Sequence, residues 1–328
     1  MRFVVGLLVL ALAVGGAAYW WATTRALHVP ADGYALTIES GTTLRSVARD
    51  LAGADILPAD WTLVALARLK RADRTIKAGN YEIAAGTTLV GLLAQLTQGD
   101  VTQSSIAIVE GWTVRDLKAA LKSDGGIVKR VIDLPDAELM RSIGATETAP
   151  EGLFFPDTYF FASGSTDLAL LKRAYRMMHE RLDRAWASRA SDLPLASPYE
   201  ALTLASIVEK ETGRAADRPL VAAVFINRLK LGMRLQTDPS VIYGIGERFD
   251  GNLRKSDLEK DHAFNTYVRS GLPPTPIAFP GQASLDAVLH PAAVPYLYFV
   301  ARGDGSSEFS TNIAEHNRAV AKYQRGAR

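Results

Sequence analysis

The chain has 328 residues, of which 48% are hydrophobic and 22% charged, which is ordinary globular composition with room for roughly two or three domains. The formal net charge is only +2, so no overall field favours nucleic acid as a partner. The absence of cysteine excludes disulfides, thiol catalysis and thiolate metal sites.

The N-terminal segment is an apolar run from Phe3 to Ala22 that ends in Trp20 and Trp21. About 20 such residues span the hydrocarbon core of a bilayer, and aromatic side chains favour its interface. We therefore predict a transmembrane anchor over residues 1–24. A cleaved signal peptide is the alternative, but its apolar core is usually shorter, about 7–15 residues, and precedes a small-residue cleavage site.

The next part of the chain repeats one pattern three times. In each copy a strand-like stretch runs into a glycine turn, and a threonine then offers its hydroxyl as the N-cap of an amphipathic helix. The strands are predicted at Tyr34 to Ile38, Asn80 to Ile83 and Ser105 to Val109, and the capped turns at 40–44, 85–89 and 110–114.

This repeated strand–turn–helix pattern resembles LysM-like modules, which are small βααβ domains that bind N-acetylglucosamine polymers. The resemblance implies a LysM-like glycan-binding subdomain over residues 33–105. Because helix capping alone also explains the glycine-threonine pairs, a simple α+β spacer is the alternative. We place the start of the following domain, residues 106–328, between Gly99 and Thr113.

Within the second domain, an aromatic-rich stretch runs from Gly152 to Phe161. A long amphipathic helix is predicted from about Asp167 to Ala187, with its apolar residues on one side. Mixed helices and strands predict an α+β fold for this domain.

A shorter helix carries the residues of greatest chemical interest. Ser197 followed by Pro198 and Glu200 predicts its start with a capping box, and Gly213 predicts its end. Between them, Leu204, Ile207 and Val208 form an apolar stripe, and Glu211 is the next member of that stripe.

A carboxyl group on a buried stripe is costly unless it is neutral or paired. Burial would raise the pKa of Glu211, as a general acid requires. Glu209 is rotated by about 200° around the helix and is predicted to be solvated. The alternative is a structural Glu211 that is paired with Arg214 or Arg218, because ion pairs also perturb carboxyl groups.

The helix and the segments after it resemble the MltG (YceG-like) family of endolytic murein transglycosylases. The resemblance covers essentially the whole chain, and its motifs occur in the family's order. They are Glu151-Gly, Phe155 to Thr158, Leu204 to Thr212, Val224 to Leu229, Gly232 to Gly244, Asn265 to Tyr267, Gly271 to Pro274, His290-Pro291, Tyr296 to Val300 and Thr311-Asn312.

The resemblance implies a lysozyme-like catalytic domain and a lytic transglycosylase in which Glu211 matches the catalytic glutamate. Such an enzyme cleaves the β-1,4 bond between N-acetylmuramic acid and N-acetylglucosamine, forms a 1,6-anhydro end and thereby terminates growth of nascent strands. Glu211 would act first as acid and then as base, with help from the muramoyl N-acetyl group. No cofactor is implied.

A hydrolytic glycosidase would instead need a second carboxylate. The candidates are Asp238, Asp157, Glu209 and Glu247, and none stands in a context that marks it as catalytic. Neutral polar side chains suit sugar hydroxyl and acetamido groups, and flat aromatic faces suit sugar rings. The predicted substrate-binding residues are Asn227, Gln236, Thr237, Tyr243, Asn265 and Tyr267, with Phe155, Tyr296 and Tyr298 as further flat faces.

Metal binding is not predicted, because the five histidines are scattered and form no His-x-x-x-His pair. The expected partners are glycan strands, the bacterial inner membrane through the anchor, and peptidoglycan synthases, with the catalytic domain on the periplasmic side. Two alternatives stay open, a membrane-tethered muramidase that uses water and a non-catalytic peptidoglycan-binding scaffold.

Overall fold

The computed structural model describes residues 16, 19–30, 33–39, 41–73, 75–98, 104–161 and 165–325. Residues 19–24 are helical, and most of the predicted anchor lies outside the described residues. Within the described ranges, no helix is both long enough and apolar enough to cross a membrane. The chain divides into two compact units: Met1–Ser105 with the short segments Gly125–Val128 and Phe160–Ser165, and the remaining residues.

The first unit is built on an antiparallel strand pair. The pairing runs from Tyr34 opposite Ile83 to Ile38 opposite Gly79. The elements follow the order strand, helix, helix, strand, helix. They are β1 (Tyr34–Ile38), α1 (Leu44–Gly53), α2 (Asp60–Leu69), β2 (Gly79–Ile83) and α3 (Leu89–Gln98).

Threonine caps begin α1 and α3, as the sequence predicts. The Thr43 hydroxyl accepts a hydrogen bond from the Ser46 N–H at 3.3 Å, and the Thr88 hydroxyl accepts one from the Gly91 N–H at 3.2 Å. Apolar residues of all three helices share one core with β1 and β2, including the fully buried Leu51, Leu63 and Leu92. The order from β1 to β2 is βααβ, and the LysM-like identity of the unit stays a prediction.

The remaining elements alternate helices with short strand pairs, which confirms the α+β class. Strands β3 and β4 pair with each other, and β5 pairs with β6. In chain order the elements are β3 (Ser104–Ala107), α4 (Val114–Ser123), α5 (Asp136–Ile143), β4 (Thr158–Phe161), α6 (Asp167–Ala187), α7 (Pro198–Glu211), α8 (Arg218–Lys230), α9 (Asp238–Ile245), α10 (Lys255–Glu259), α11 (Gln282–Leu289), β5 (Tyr298–Ala301), β6 (Ser307–Ser310) and α12 (Ile313–Val320).

Helix α7 is the central element of the second unit. Eight successive residues, Ala201 to Val208, are buried, so the helix is covered all round and not only along the predicted stripe. Helices α6, α8 and α11 pack against it. The Ser197 hydroxyl caps the helix by accepting from the Glu200 N–H at 3.2 Å, while the Glu200 carboxylate accepts from the Ala196 N–H at 2.7 Å.

The end of α7 places a carboxyl group at the rim of this core. The helix stops at Glu211 because Thr212 is extended, with φ −146° and ψ 127°. Gly213 is not left-handed, so the prediction that a glycine ends the helix is wrong. The extended Thr212 turns the chain away directly after the buried segment.

The turn at Gly152 is required by both backbone conformation and space. Its φ is +80°, and an added Cβ would overlap the ring of Pro276. Gly144 has a similar φ of +84° but open space around it.

We expect Gly144→Ala to lower the free energy of unfolding by about 1–2 kcal/mol through backbone strain alone. Gly152→Ala should lower it by about 1–3 kcal/mol more through overpacking. Urea denaturation checks this, and equal losses in the two variants would contradict it.

Candidate active site

Glu211 is half-buried at the C-terminus of α7. Burial and, to a smaller extent, the negative charge of Asp238 raise the pKa of its carboxyl group to about 7. A hydrogen bond from the Thr237 hydroxyl to Oε1, at 2.5 Å, and the positive charge of Arg228 oppose that rise. A carboxyl group of this kind is protonated in a good fraction of molecules at neutral pH, as a general acid requires.

The neighbouring Glu209 does not behave as predicted. Its side chain is only 7% exposed, and its Oε2 accepts hydrogen bonds from the Gly281 N–H at 2.9 Å and the Ser284 hydroxyl at 2.7 Å. Arg218 lies 3.5 Å from Oε1 of the same carboxylate. The prediction of a solvated Glu209 is therefore wrong, because the segment that begins α11 covers that side of α7. Glu209 is a structural carboxylate.

The arginines weighed as structural partners of Glu211 are engaged elsewhere. Arg218 pairs with Glu209, and Arg214 lies 4.0 Å from Asp217. Among the described residues, no salt bridge reaches Glu211, and its hydrogen-bond partner is neutral. The alternative of a helix-end ion pair is thus wrong, and Glu211 keeps a carboxyl group open to an adjacent cleft.

The cleft beside Glu211 has a volume of about 520 Å³. It is bounded by the ends of α7 and α8, the segment that leads into α9, the β5–β6 pair and α12. Both charged and aromatic side chains face it, which suits a ligand with polar groups and flat apolar faces. Its walls are formed by Glu211, Arg228, Leu235, Gln236, Asp238, Tyr267, Tyr298, Phe299, Val300, Ala301, Ser307, Ile313, His316, Val320 and Gln324.

Arg228 is a buried cation in the wall of this cleft, with 7% of its surface exposed. Its guanidinium donates from Nε to the Leu297 carbonyl at 2.7 Å and from Nη1 to the Leu235 carbonyl at 2.8 Å. It also lies over the ring of Tyr298, 5.0 Å from the centroid. These contacts tie α8 to β5 and to the segment before α9, and they fix a positive charge near Glu211.

The segment that leads into α9 is held in an unusual backbone conformation. Gln236 has φ +53°, a left-handed value that non-glycine residues seldom adopt. Hydrogen bonds from its N–H to the Thr266 carbonyl, at 3.1 Å, and from the Thr237 N–H to the Thr266 hydroxyl, at 3.0 Å, hold it there. The conformation brings the Thr237 hydroxyl to Glu211, and strained backbone of this kind is concentrated at functional sites.

Asp238 provides a second carboxylate in the same cleft. Its Oδ1 accepts a hydrogen bond from the Tyr267 hydroxyl at 2.5 Å, and its charge acts on Glu211. The phenol is a neutral donor, and Asp238 is the first residue of α9. The cleft therefore contains two carboxyl groups in different environments.

Three predicted substrate-binding residues belong to this cleft. Gln236 and Tyr267 line it, and Thr237 is buried but bonded directly to Glu211. Tyr298 also lines it.

The structure places Asn227, Asn265 and Tyr243 outside the walls of this cleft, and their role in substrate binding stays a prediction. The Asn227 amide donates to the carbonyls of Val294 and Tyr296, at 2.8 and 3.0 Å. Asn265 is fully buried, and its amide donates to three carbonyls of the 257–260 segment. Both amides satisfy buried backbone groups.

Tyr243 likewise lies outside the cleft. Its hydroxyl donates to the Glu151 carboxylate at 3.1 Å, and its ring packs edge-on against Phe264 at a centroid distance of 4.8 Å. Sequence reasoning selected these three residues because neutral polar and aromatic side chains suit sugars, but the same types also serve as internal supports.

Sequence reasoning missed Arg228, Phe299 and His316 as cleft residues. The ring of His316 stacks on that of Tyr298, with 5.2 Å between the ring centroids. The β5–β6 strand pair separates the two residues in the chain. No local pattern in the sequence joins α8, β5 and α12, so only the fold brings these residues together. Over the ranges described, no group of three or more histidine and carboxylate side chains is arranged to hold a metal ion.

The class of protein is defined by the match between this chain and a family model. The model of the YceG-like family matches residues 36–322. The chain therefore belongs to the YceG-like family, and the predicted family resemblance is confirmed.

Curated relatives share this match. A protein of Bacillus subtilis named endolytic murein transglycosylase is 32% identical over 305 residues, covering 88% of this chain and 84% of the relative. A Streptococcus pneumoniae protein with the same name is 26% identical over 285 residues, covering 76% of this chain. The alignment spans about half of the pneumococcal protein, 51% of its length. The predicted enzyme class is the one that these relatives carry in their names.

A solved structure is similar in fold as well. The crystal structure of a yceG-like protein from Listeria monocytogenes has a TM-score of 0.53 and 25% sequence identity to this chain. The comparison covers 88% of this chain and 99% of that one.

The neighbours of Glu211 predict two opposite pKa shifts. Thr237→Val removes a hydrogen bond that favours the ionised form, so we expect the pKa of Glu211 to rise above about 7. Asp238→Asn removes a negative charge and should lower that pKa. Titration of the Glu211 carboxyl carbon by NMR measures both. Shifts of the same sign in the two variants would contradict this description of the site.

Proposed function

We propose that this protein is an endolytic peptidoglycan lytic transglycosylase that cleaves the bond between N-acetylmuramic acid and N-acetylglucosamine. The observation that carries the proposal is Glu211, a carboxyl group with a pKa raised to about 7 at the edge of an open cleft. The names of the curated relatives support the same chemistry.

In this proposal Glu211 is the only carboxyl group that the chemistry requires. In its protonated form it donates to the glycosidic oxygen as the bond to the muramoyl C1 breaks. The N-acetyl group of the same sugar stabilises the cationic centre. The ionised Glu211 then takes the proton of the C6 hydroxyl, whose oxygen bonds to C1 and closes the 1,6-anhydro ring. No water is consumed, and Glu211 ends the cycle protonated.

The surroundings of Glu211 support both halves of this cycle. Burial and the charge of Asp238 favour the protonated acid, while the Thr237 hydrogen bond and Arg228 stabilise the carboxylate after proton donation. Opposing influences of this kind hold the pKa near neutrality, where a group can both donate and accept a proton. Tyr267, Tyr298 and Gln236 would contact the sugars.

A muramidase that uses water is the second candidate, and Asp238 is the specific observation in its favour. Hydrolysis needs a second carboxylate to activate water or stabilise the sugar cation. Asp238 lines the same cleft as Glu211 and is held by Tyr267. Asp157 and Glu247 are not cleft residues, and Glu209 is committed to α11. Asp238 is thus the carboxylate that a hydrolytic reaction would use.

The remaining parts of the proposal concern location and partners. The apolar N-terminal run would anchor the chain in the bacterial inner membrane, with the catalytic unit on the periplasmic side. The βααβ order of the first unit supports a LysM-like module that binds glycan near the membrane. Cleavage of nascent strands there would end their elongation, so peptidoglycan synthases are the proposed partners.

Two matched variants test the role of Glu211. We expect Glu211→Gln to reduce the rate of cleavage of purified glycan strands by about 10²- to 10⁴-fold, which is the typical contribution of general acid catalysis in enzymes. Glu209→Gln makes the same change two residues away and keeps an acceptor for Gly281 and Ser284, so it should retain most activity. Wild-type cleavage should fall as pH rises through about 7, because Glu211 must be protonated to donate.

A third variant, Asp238→Asn, separates the lytic reaction from hydrolysis. In the lytic reaction Asp238→Asn should retain cleavage, with the alkaline limb moved to lower pH. In a muramidase the same variant should be as inactive as Glu211→Gln. Undiminished cleavage by Glu211→Gln would contradict both reactions, whereas a wild-type protein that cleaves no strands would leave the binding scaffold as the function.

A further inference from the structure

A second buried carboxyl group lies in the catalytic unit, outside the cleft. Glu151 is 6% exposed, and its carboxylate accepts hydrogen bonds from two directions. The Val114 N–H at the start of α4 lies 3.1 and 3.3 Å from its two oxygens, and the Tyr243 hydroxyl of α9 lies 3.1 Å from Oε2. Burial raises the pKa of this carboxyl group to about 7, although both hydrogen bonds oppose the rise.

The backbone that carries Glu151 is firmly held. Gly152 needs its positive φ and its lack of a side chain to pass Pro276. The next two residues, Leu153 and Phe154, are each 1% exposed, and the Phe155 N–H donates to the Ala174 carbonyl of α6 at 3.1 Å. The Glu151 carboxylate is therefore a fixed point to which other elements attach.

Helix α9 is the element that needs such a point. It has only eight residues, and at its N-terminus lie Thr237 and Asp238, the two groups of this segment that act on Glu211. Hydrogen bonds to Thr266 hold that end, from the Thr237 N–H at 3.0 Å and between the Ser240 and Thr266 hydroxyls at 2.9 Å. At the other end the Tyr243 hydroxyl donates to Glu151, and the Tyr243 ring packs against Phe264.

We propose that Glu151 is a positioning residue for the active site, which acts through Tyr243 to fix the rotation of α9 and thereby the approach of Asp238 to Glu211. The inference rests on the proposed function only for its activity readout. A small rotation of α9 would move its first turn, where Asp238 raises the pKa of Glu211. Because Thr237 moves with the same turn and lowers that pKa, loss of the link should shift the pKa of Glu211 away from about 7.

The charged and titratable groups around the two carboxyl groups are few. Glu151 faces Tyr243 from α9, Asp116 from α4 and Tyr199 from α7. Around Glu211 they are Asp238 from α9, Arg228 from α8 and, beyond Asp238, Tyr267. Loss of the Tyr243 hydroxyl should raise the pKa of Glu151, since that hydrogen bond lowers it.

The test is the pH profile of strand cleavage by full-length Tyr243→Phe. We expect kcat to fall roughly 3- to 30-fold with KM unchanged. This loss is smaller than the roughly 100-fold loss that follows when a catalytic group is misplaced by about 1 Å. The alkaline limb should move by roughly half a pH unit. Tyr159→Phe is the matched control, because it removes another buried tyrosine hydroxyl, bonded to the Phe155 carbonyl at 2.7 Å, that does not contact α9.

A second comparison distinguishes positioning from general destabilisation. Glu151→Gln keeps an acceptor oxygen for Tyr243 and should leave the limb closer to wild type than Glu151→Ala does. If Tyr243→Phe and Tyr159→Phe give the same limb as wild type, the positioning role is wrong. NMR titration of Glu211 in Tyr243→Phe measures the same shift without substrate, so failure of the proposed function would not hide the result.

Discussion

The site depends on one constraint, which is that the Glu211 carboxyl group is buried enough for its pKa to rise to about 7 and yet borders the cleft. Helix α7 meets this constraint by burying eight successive residues and then ending at Glu211. The buried helix removes water from one side of the carboxyl group, and the extended Thr212 leaves the other side open. A helix that continued past Glu211 would cover it, and one that stopped earlier would leave it fully solvated.

The remaining site residues adjust how strongly that proton is held. Thr237 and Arg228 favour the carboxylate, while burial and Asp238 favour the acid. Each comes from a different part of the chain, so the balance depends on how α8, α9 and the strained Gln236 are fixed. Arg228 is fixed by carbonyls of the segments before β5 and α9, and α9 by Thr266 and Glu151. Much of the polar chemistry of the catalytic unit is thus structural support for one acid.

Local patterns in the sequence predicted the elements well, because capping and periodicity are local. Helix α6 begins and ends where predicted, at Asp167 and Ala187, and threonine caps begin α1, α3 and α4. The position of Glu211 on α7 also followed from local spacing. Periodicity failed for Glu209, because the segment that covers it is more than 70 residues away in the chain. The same limit explains why Arg228 was missed and why Asn227, Asn265 and Tyr243 were predicted to line a cleft that they support from outside.

The central claim is that one carboxyl group performs both proton transfers without water. Mass spectrometry of new strand ends, after digestion of purified glycan in H₂¹⁸O, tests it most directly. The claim predicts 1,6-anhydro ends that carry no ¹⁸O and are lighter than hydrolysed ends by one water. New hydrolysed ends that contain ¹⁸O in place of anhydro ends would contradict it and show that water attacks the sugar.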